Sequence, residues 1–167
     1  MTPTERRDPD FRAMPDAQPM FNRVLTASPD AVRDTLRDIR ERFREEVAED
    51  TLGRLELVLA EVMNNVAEHA PEAAAGRLPV IHLCVVRHVA GLACALTDDG
   101  AVLPAECLAP RSLPRAVDMP EGGFGWYLIQ DLTRALCYYR EDSRNHLAFN
   151  VPFGPEGRMG REGRPLS

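Results

Sequence analysis

The chain has 167 residues, enough for one domain with a buried core, and its 20 basic against 26 acidic residues give a net charge of −6. Every basic residue is Arg, and an acidic chain without a basic patch is a poor nucleic-acid binder. No apolar run is long enough to span a bilayer and the first residues lack the apolar core of a secretory signal, so the expected location is the cytoplasm, away from any membrane.

Residues 1–19 are rich in Pro, Asp and Arg, and 154–167 (GPEGRMGREGRPLS) form a Gly/Arg/Pro tail. Neither can bury enough to fold, so both are expected to be mobile around a single domain spanning 20–153. Met20 to Ala27 reads as a strand. Ser28-Pro29-Asp30 then supplies an N-cap, a proline at the first helical position and an acid in the first turn. The helix that follows keeps Val32, Leu36, Ile39, Phe43 and Val47 on one face, and a break is expected near Glu49-Asp50.

The next helix, read as ELVLAEVMNNVAEHA from Glu56 to Ala70, organises the chain. Leu52, Leu55, Leu59, Val62 and Val66 recur at helical spacing and make its core stripe. Beside them Glu61, Asn65 and His69 stand one turn apart and form a single polar row. A solvated face is the ordinary account of such a row. Asn and His are poor helix formers, however, and two Asn stand side by side at Asn64 and Asn65, which helix propensity alone would not select.

Ala70-Pro71 closes that helix, and a loop of small residues runs to Gly76. Pro79 to Val89 alternates Ile81, Leu83 and Val85 with His82, Cys84 and Val86; with Gly91 to Asp98, after a turn at Ala90-Gly91, it reads as an antiparallel hairpin. One face is apolar and the other only half polar. His82, Cys84 and His88 share that second face, but no carboxylate stands among them and they read as sheet residues, not metal ligands. Cys84, Cys94, Cys107 and Cys137 lie far apart without a CxxC, the pattern of reduced thiols. Asp99 to Glu121 is a loop with four prolines, long enough to act as a lid or binding loop. Gly122-Gly123-Phe124-Gly125 opens a helix predicted from Trp126 to Arg134, exposing backbone N–H groups at a positive helix end. A second hairpin, Ala135 to Glu141 and Asn145 to Phe153 around Asp142-Ser143-Arg144, ends the domain. A Rossmann turn is excluded because the glycines follow a loop and lack the third Gly, and a Walker loop because the chain has no Lys.

ExxxN on a helix, Asp98-Asp99-Gly100 at a strand end and GGFG opening a later helix, in that order, resemble the GHKL ATPase fold of gyrase and the histidine kinases. The wording LAEVMNNVAEHA, DDG and GGFGWYLI looks most like the anti-sigma-factor serine/threonine kinases of bacterial partner switching, over Met20 to Phe153. That resemblance implies an α/β (α+β) two-layer sandwich, a mixed and mostly antiparallel sheet with about three helices on one face. It implies ATP and Mg2+ as cofactors, with Asn65 as the metal ligand and Glu61 as the general base. Asp98 would accept from the adenine amino group, with Gly100 leaving room for the base. His69 ends the polar row on the nucleotide side. Gly123 and Gly125, with Phe124 between them, would bring backbone amides to the phosphates, and Arg111 and Arg115 in the lid would reach the terminal phosphate. The implied partners are a sigma factor, which the protein would sequester, and a small antagonist of the STAS type, which it would phosphorylate.

Two positions depart from the family pattern. Val102 stands where a second Gly is usual, which stiffens the first hinge of the lid, and Asn145-His146 replaces a Gly-Thr pair, leaving one contact without an owner. A non-catalytic module of the same fold, binding a partner, is the alternative reading. Similar kinases are dimers, and Cys84, Val86, Ala93, Ala95 and Ala148 on the half-polar sheet face predict a two-fold, sheet-to-sheet homodimer.

Overall fold

A computed structural model of the protein describes residues 19–68, 76–103 and 124–154. Along the chain come strand β1 (Met20–Thr26), helices α1 (Pro29–Phe43) and α2 (Glu49–Glu68), strands β2 (Val80–His88) and β3 (Gly91–Asp98), helix α3 (Phe124–Leu132), and strands β4 (Arg134–Glu141) and β5 (Arg144–Pro152). The expected mobile ends and most of the expected lid, including Arg111, Arg115 and Gly123, lie outside the described residues, as does His69.

The five strands form one sheet in the order β1-β2-β3-β5-β4. All four pairings are antiparallel, a simpler sheet than the mixed one expected. Each hairpin turns on two residues, Val89-Ala90 and Asp142-Ser143, so β3 begins at Gly91, where the turn was expected to end. Asp142 and Ser143 both have positive φ, the condition for the turn that matches the twist of paired strands.

Ser28 caps α1 as its sequence predicts: Ala31 N–H donates to Ser28 Oγ at 3.2 Å, with Pro29 in the first turn. The helix stops at Phe43, whose carbonyl accepts from Glu46 N and Val47 N, so Val47 is buried beyond the helix rather than on it. The break therefore falls over 44–48. Glu49 and Asp50, expected to mark it, instead make the first turn of α2, where acids suit the positive end of the helix dipole. Arg40 on α1 grips Glu56 on α2 with Nε and Nη2, the second contact at 3.0 Å, and also reaches Glu49.

The core lies between the helices and the inner sheet face. Leu52, Leu55, Leu59, Val62 and Met63 of α2, and Val32, Ile39 and Phe43 of α1, are buried together with Ile81, Leu83, Val85, Leu96, Leu147, Phe149 and Val151 of the sheet. The period of two on the strands and of 3.6 on the helices puts these residues on facing surfaces.

The outer face of the sheet carries a row of short side chains across its middle. Cα register aligns Asn22, Cys84, Ala95, Ala148 and Cys137 in one row across all five strands. Beside that row Val24 is 62% and Tyr139 52% exposed. Cys94 faces the other way, into the core, where burial pushes its thiol pKa up and leaves it a weak nucleophile.

Candidate functional site

One pocket opens where α2 and α3 meet the ends of β3 and β5. Its walls include Val62 and Asn65 from α2, Leu96 and Asp98 from β3, Trp126 from α3 and Asn145 from β5. The long organising helix thus brings Asn65 to the end of the strand that carries the DDG motif.

The two aspartates of that motif divide their tasks. Asp99 fastens the start of β2: its Oδ1 accepts from Val80 N at 2.7 Å and its Oδ2 from Arg77 Nη2 at 2.7 Å. Burial pushes the Asp99 pKa up, but those two donors outweigh it and hold it below the usual carboxylate range. Asp98 is 4% exposed and faces the pocket. Its Oδ1 accepts from Gly100 N at 2.8 Å and from Asn145 Nδ2 at 3.0 Å, so both of these donors converge on one oxygen. Burial raises its pKa above the ordinary value, against the opposing pull of Asn145, Gly100 N–H and Arg140. A side chain at Gly100 would start 2.9 Å from Asp98 Oδ1, which explains why this position carries none.

Glu61 and Asn65 stand one turn apart on α2, both partly exposed, as the sequence predicts. The Glu61 carboxylate lies against the start of α3, where a Cβ on Gly125 would sit 2.3 Å from Glu61 Oε2. The missing side chain at Gly125 thus lets the Glu61 carboxylate lie close to the head of α3. Phe124 is the first residue of α3, so the helix runs Phe124–Leu132 in place of the expected Trp126 to Arg134. Thr133 Oγ1 donates to Ile129 O at 2.5 Å and Arg134 Nη1 to Thr133 O at 2.8 Å. Arg134 caps the helix from the first position of β4.

Two side-chain donors in this pocket are buried without a partner among the described residues, Asn65 Nδ2 and Trp126 Nε1. An unpaired buried donor costs on the order of 1–3 kcal/mol, a penalty that a polar ligand or water removes. With an acceptor at Asp98, donors at Asn65 and Trp126 and an apolar floor of Val62, Leu96 and Leu147, the walls fit a flat heterocycle carrying polar groups. Among the described residues no three His, Cys, Asp or Glu side chains converge as a metal cage, so a cation here would depend on Asn65 and on oxygens brought by its ligand.

Of the residues predicted from sequence, Asn65 and Asp98 line the pocket, Gly100 N–H bonds Asp98, and Glu61 and Gly125 lie against each other; Asn145 had no assigned role, and Tyr138 and Arg140 were not predicted. The structure puts all three on Asp98's side of the pocket: Tyr138 Oη donates to Asn145 Oδ1 at 2.7 Å and Arg140 Nη1 to the same atom at 2.9 Å. One signal was available. Asn145 occupies the inward phase that Leu147, Phe149 and Val151 continue, and a polar residue at an apolar position needs partners.

The family model of the histidine kinase-like ATPase domain matches residues 25–151. No curated protein sequence matches the chain.

Proposed function

The chain belongs to the histidine kinase-like ATPase domain family, and on that premise we propose that it is an ATP-dependent serine/threonine protein kinase that also acts as an anti-sigma factor. In one state it sequesters a sigma factor; in the other it phosphorylates a small antagonist protein on a hydroxyl. The observation that carries the nucleotide part of this reading is that Asn65 and Asp98 line one pocket while Glu61, a turn before Asn65, touches the head of α3. The finer assignment to partner switching rests on the resemblance of LAEVMNNVAEHA, DDG and GGFGWYLI.

Asp98 Oδ2, with both identified bonds on the other oxygen, accepts from the amino group of adenine. Asn65 would hold Mg2+ through its amide oxygen, and the ion would supply positive charge to offset that of the phosphates. Glu61 accepts the proton of the antagonist hydroxyl as that oxygen bonds to the terminal phosphorus and the bond to the ADP oxygen breaks. The family resemblance assigns the amides of Gly123 and Gly125 and the guanidinium groups of Arg111 and Arg115 to the phosphates.

Titration with Mg-ATP tests the binding step. Trp126 is the only Trp, is 4% exposed and lines the pocket, so its emission should shift as the site fills and the melting temperature should rise by several degrees at millimolar ligand. No change in either signal would remove the nucleotide reading and leave an interaction module.

The kinase is proposed to work as a homodimer whose two-fold contact buries the outer sheet face. Cys84 and Ala95 are cross-strand partners in the middle of that face, so Cys84→Arg with Ala95→Arg would set like charges against each other in any such interface. Light scattering should show a dimer for the wild type and a monomer for the double mutant. A double mutant that stays dimeric with an unchanged melting temperature would assign the contact to another surface.

A further inference from the structure

We infer that Asn145, locked in place by Arg140 and Tyr138, is the positioning residue that makes this pocket select a 6-amino purine over a 6-oxo purine. The inference rests on the nucleotide reading of the pocket and adds what enforces the choice of base.

The Asn145 side chain is 6% exposed and all four of its hydrogen-bonding positions are used. Nδ2 donates to Asp98 Oδ1 at 3.0 Å and to Ala101 O at 2.7 Å. Oδ1 accepts from Tyr138 Oη at 2.7 Å and from Arg140 Nη1 at 2.9 Å. Arginine can only donate, so the oxygen of the amide must face Arg140 and its nitrogen must face Asp98. Turning the amide over would set its N–H groups against the guanidinium and its oxygen against Asp98 Oδ1, which would keep only the Gly100 N–H as a donor. Arg140 Nη1 also donates to Gly100 O at 3.1 Å, so the same cation ties down the residue whose N–H holds Asp98.

Polarity therefore passes in one direction, from Arg140 through the Asn145 amide to Asp98. Two donors converging on Oδ1 are held most strongly by an ionised carboxylate, and in that form Oδ2, which makes no bond to the described residues, is an acceptor. Burial, with the charge of Asp99, favours a protonated, donating Asp98; the donors from Asn145 and Gly100 and the charge of Arg140 oppose that form. A 6-amino purine offers a hydrogen to such an oxygen. A 6-oxo purine offers a lone pair and is repelled.

Tyr138 extends the network toward the loop that follows β3, since its hydroxyl accepts from Leu103 N at 3.2 Å. Removing that hydroxyl takes one of the two donors from Asn145 Oδ1 without touching Asp98 directly.

The test compares ATP with inosine triphosphate, its 6-oxo counterpart, by Trp126 emission and calorimetry on the full chain. The wild type should prefer ATP by about ten- to a hundredfold, the discrimination of a site whose single buried acceptor meets the wrong edge of the base. Asn145→Asp keeps acceptors for Tyr138 and Arg140 but removes the donor and sets a second carboxylate against Asp98. Two adjoining carboxylates share a proton, Asp98 becomes able to donate, and the preference for ATP should fall at least about tenfold. Tyr138→Phe should narrow it by a smaller factor with little loss of melting temperature, and carries the test if Asn145→Asp does not fold. A wild type that binds both triphosphates equally, or a preference unchanged in the folded variants, overturns the role of Asn145 while leaving ATP binding intact. A wild type that binds neither ligand overturns the nucleotide reading and this inference with it.

Discussion

Glu61→Gln is expected to slow phosphoryl transfer to a protein hydroxyl by about 10²–10⁴-fold while Mg-ATP affinity stays within about twofold of the wild type. The substitution keeps the shape of the side chain that lies against Gly125 at the head of α3, so the approach of α2 to α3 should survive. What it removes is the ability to take a proton. Asn65→Ala, one turn along the same helix, should behave in the opposite way, weakening Mg-ATP binding itself if Asn65 is the metal ligand as proposed. Affinities by calorimetry and transfer of a labelled terminal phosphate separate the two effects. If Glu61→Gln transfers phosphate at the wild-type rate, Glu61 is not the base; if the wild type binds ATP but phosphorylates nothing, the non-catalytic alternative stands.

Asp98→Asn should cost about ten- to a hundredfold in ATP affinity without costing stability. Both hydrogen bonds that Asp98 accepts from Gly100 and Asn145 end on Oδ1, and an amide oxygen can accept the same pair. Its nitrogen then takes the place of Oδ2 and presents a donor to the adenine amino group. The folded-state pKa of Asp98 is raised, so between the unfolded and folded values the native protein holds the proton more firmly than the unfolded chain does. Stability therefore falls as pH rises through that window, and at neutral pH the ionised, buried carboxylate is a net cost. Asp98→Asn removes this cost. The nucleotide-free variant should melt at or above the wild-type temperature at neutral pH, and its advantage should vanish in acid, where Asp98 is itself neutral. A large drop in melting temperature would make Asp98 a structural residue in the first place.

These variants rest on residues that differ in how openly the sequence displays them. Glu61 and Asn65 are legible because a helix of period 3.6 leaves no choice about which face they share once Leu55, Leu59 and Val62 are assigned to the core. The two hairpins are legible for a similar reason, since alternation along Ile81, Leu83 and Val85 fixes the inner face. Helix ends were read less well, because capping is settled by contacts distant in sequence. Glycines before Trp126 suggest a turn, yet Phe124 and Gly125 are helical, with Gly125 lying against Glu61 of another helix. Asn145 was visible only as a departure from a family pattern. Its meaning depends on Arg140 across the hairpin and Asp98 on the neighbouring strand, a relation that pairing register creates and composition cannot reveal.

Among the described residues the order of the sheet leaves β1 and β4 as its two edges, and unpaired strand edges invite uncontrolled growth by adding strands from other chains. At the start of β4 the register slips between Arg134 and Cys137, and Ala135 adopts a φ of 54°. A bulge of this kind bends and overtwists the strand, so a straight strand from a second molecule cannot zip along its whole length. Exposed Arg134, Arg140 and Glu141 add charge to the same margin. Fibril-like propagation is thereby discouraged at this edge.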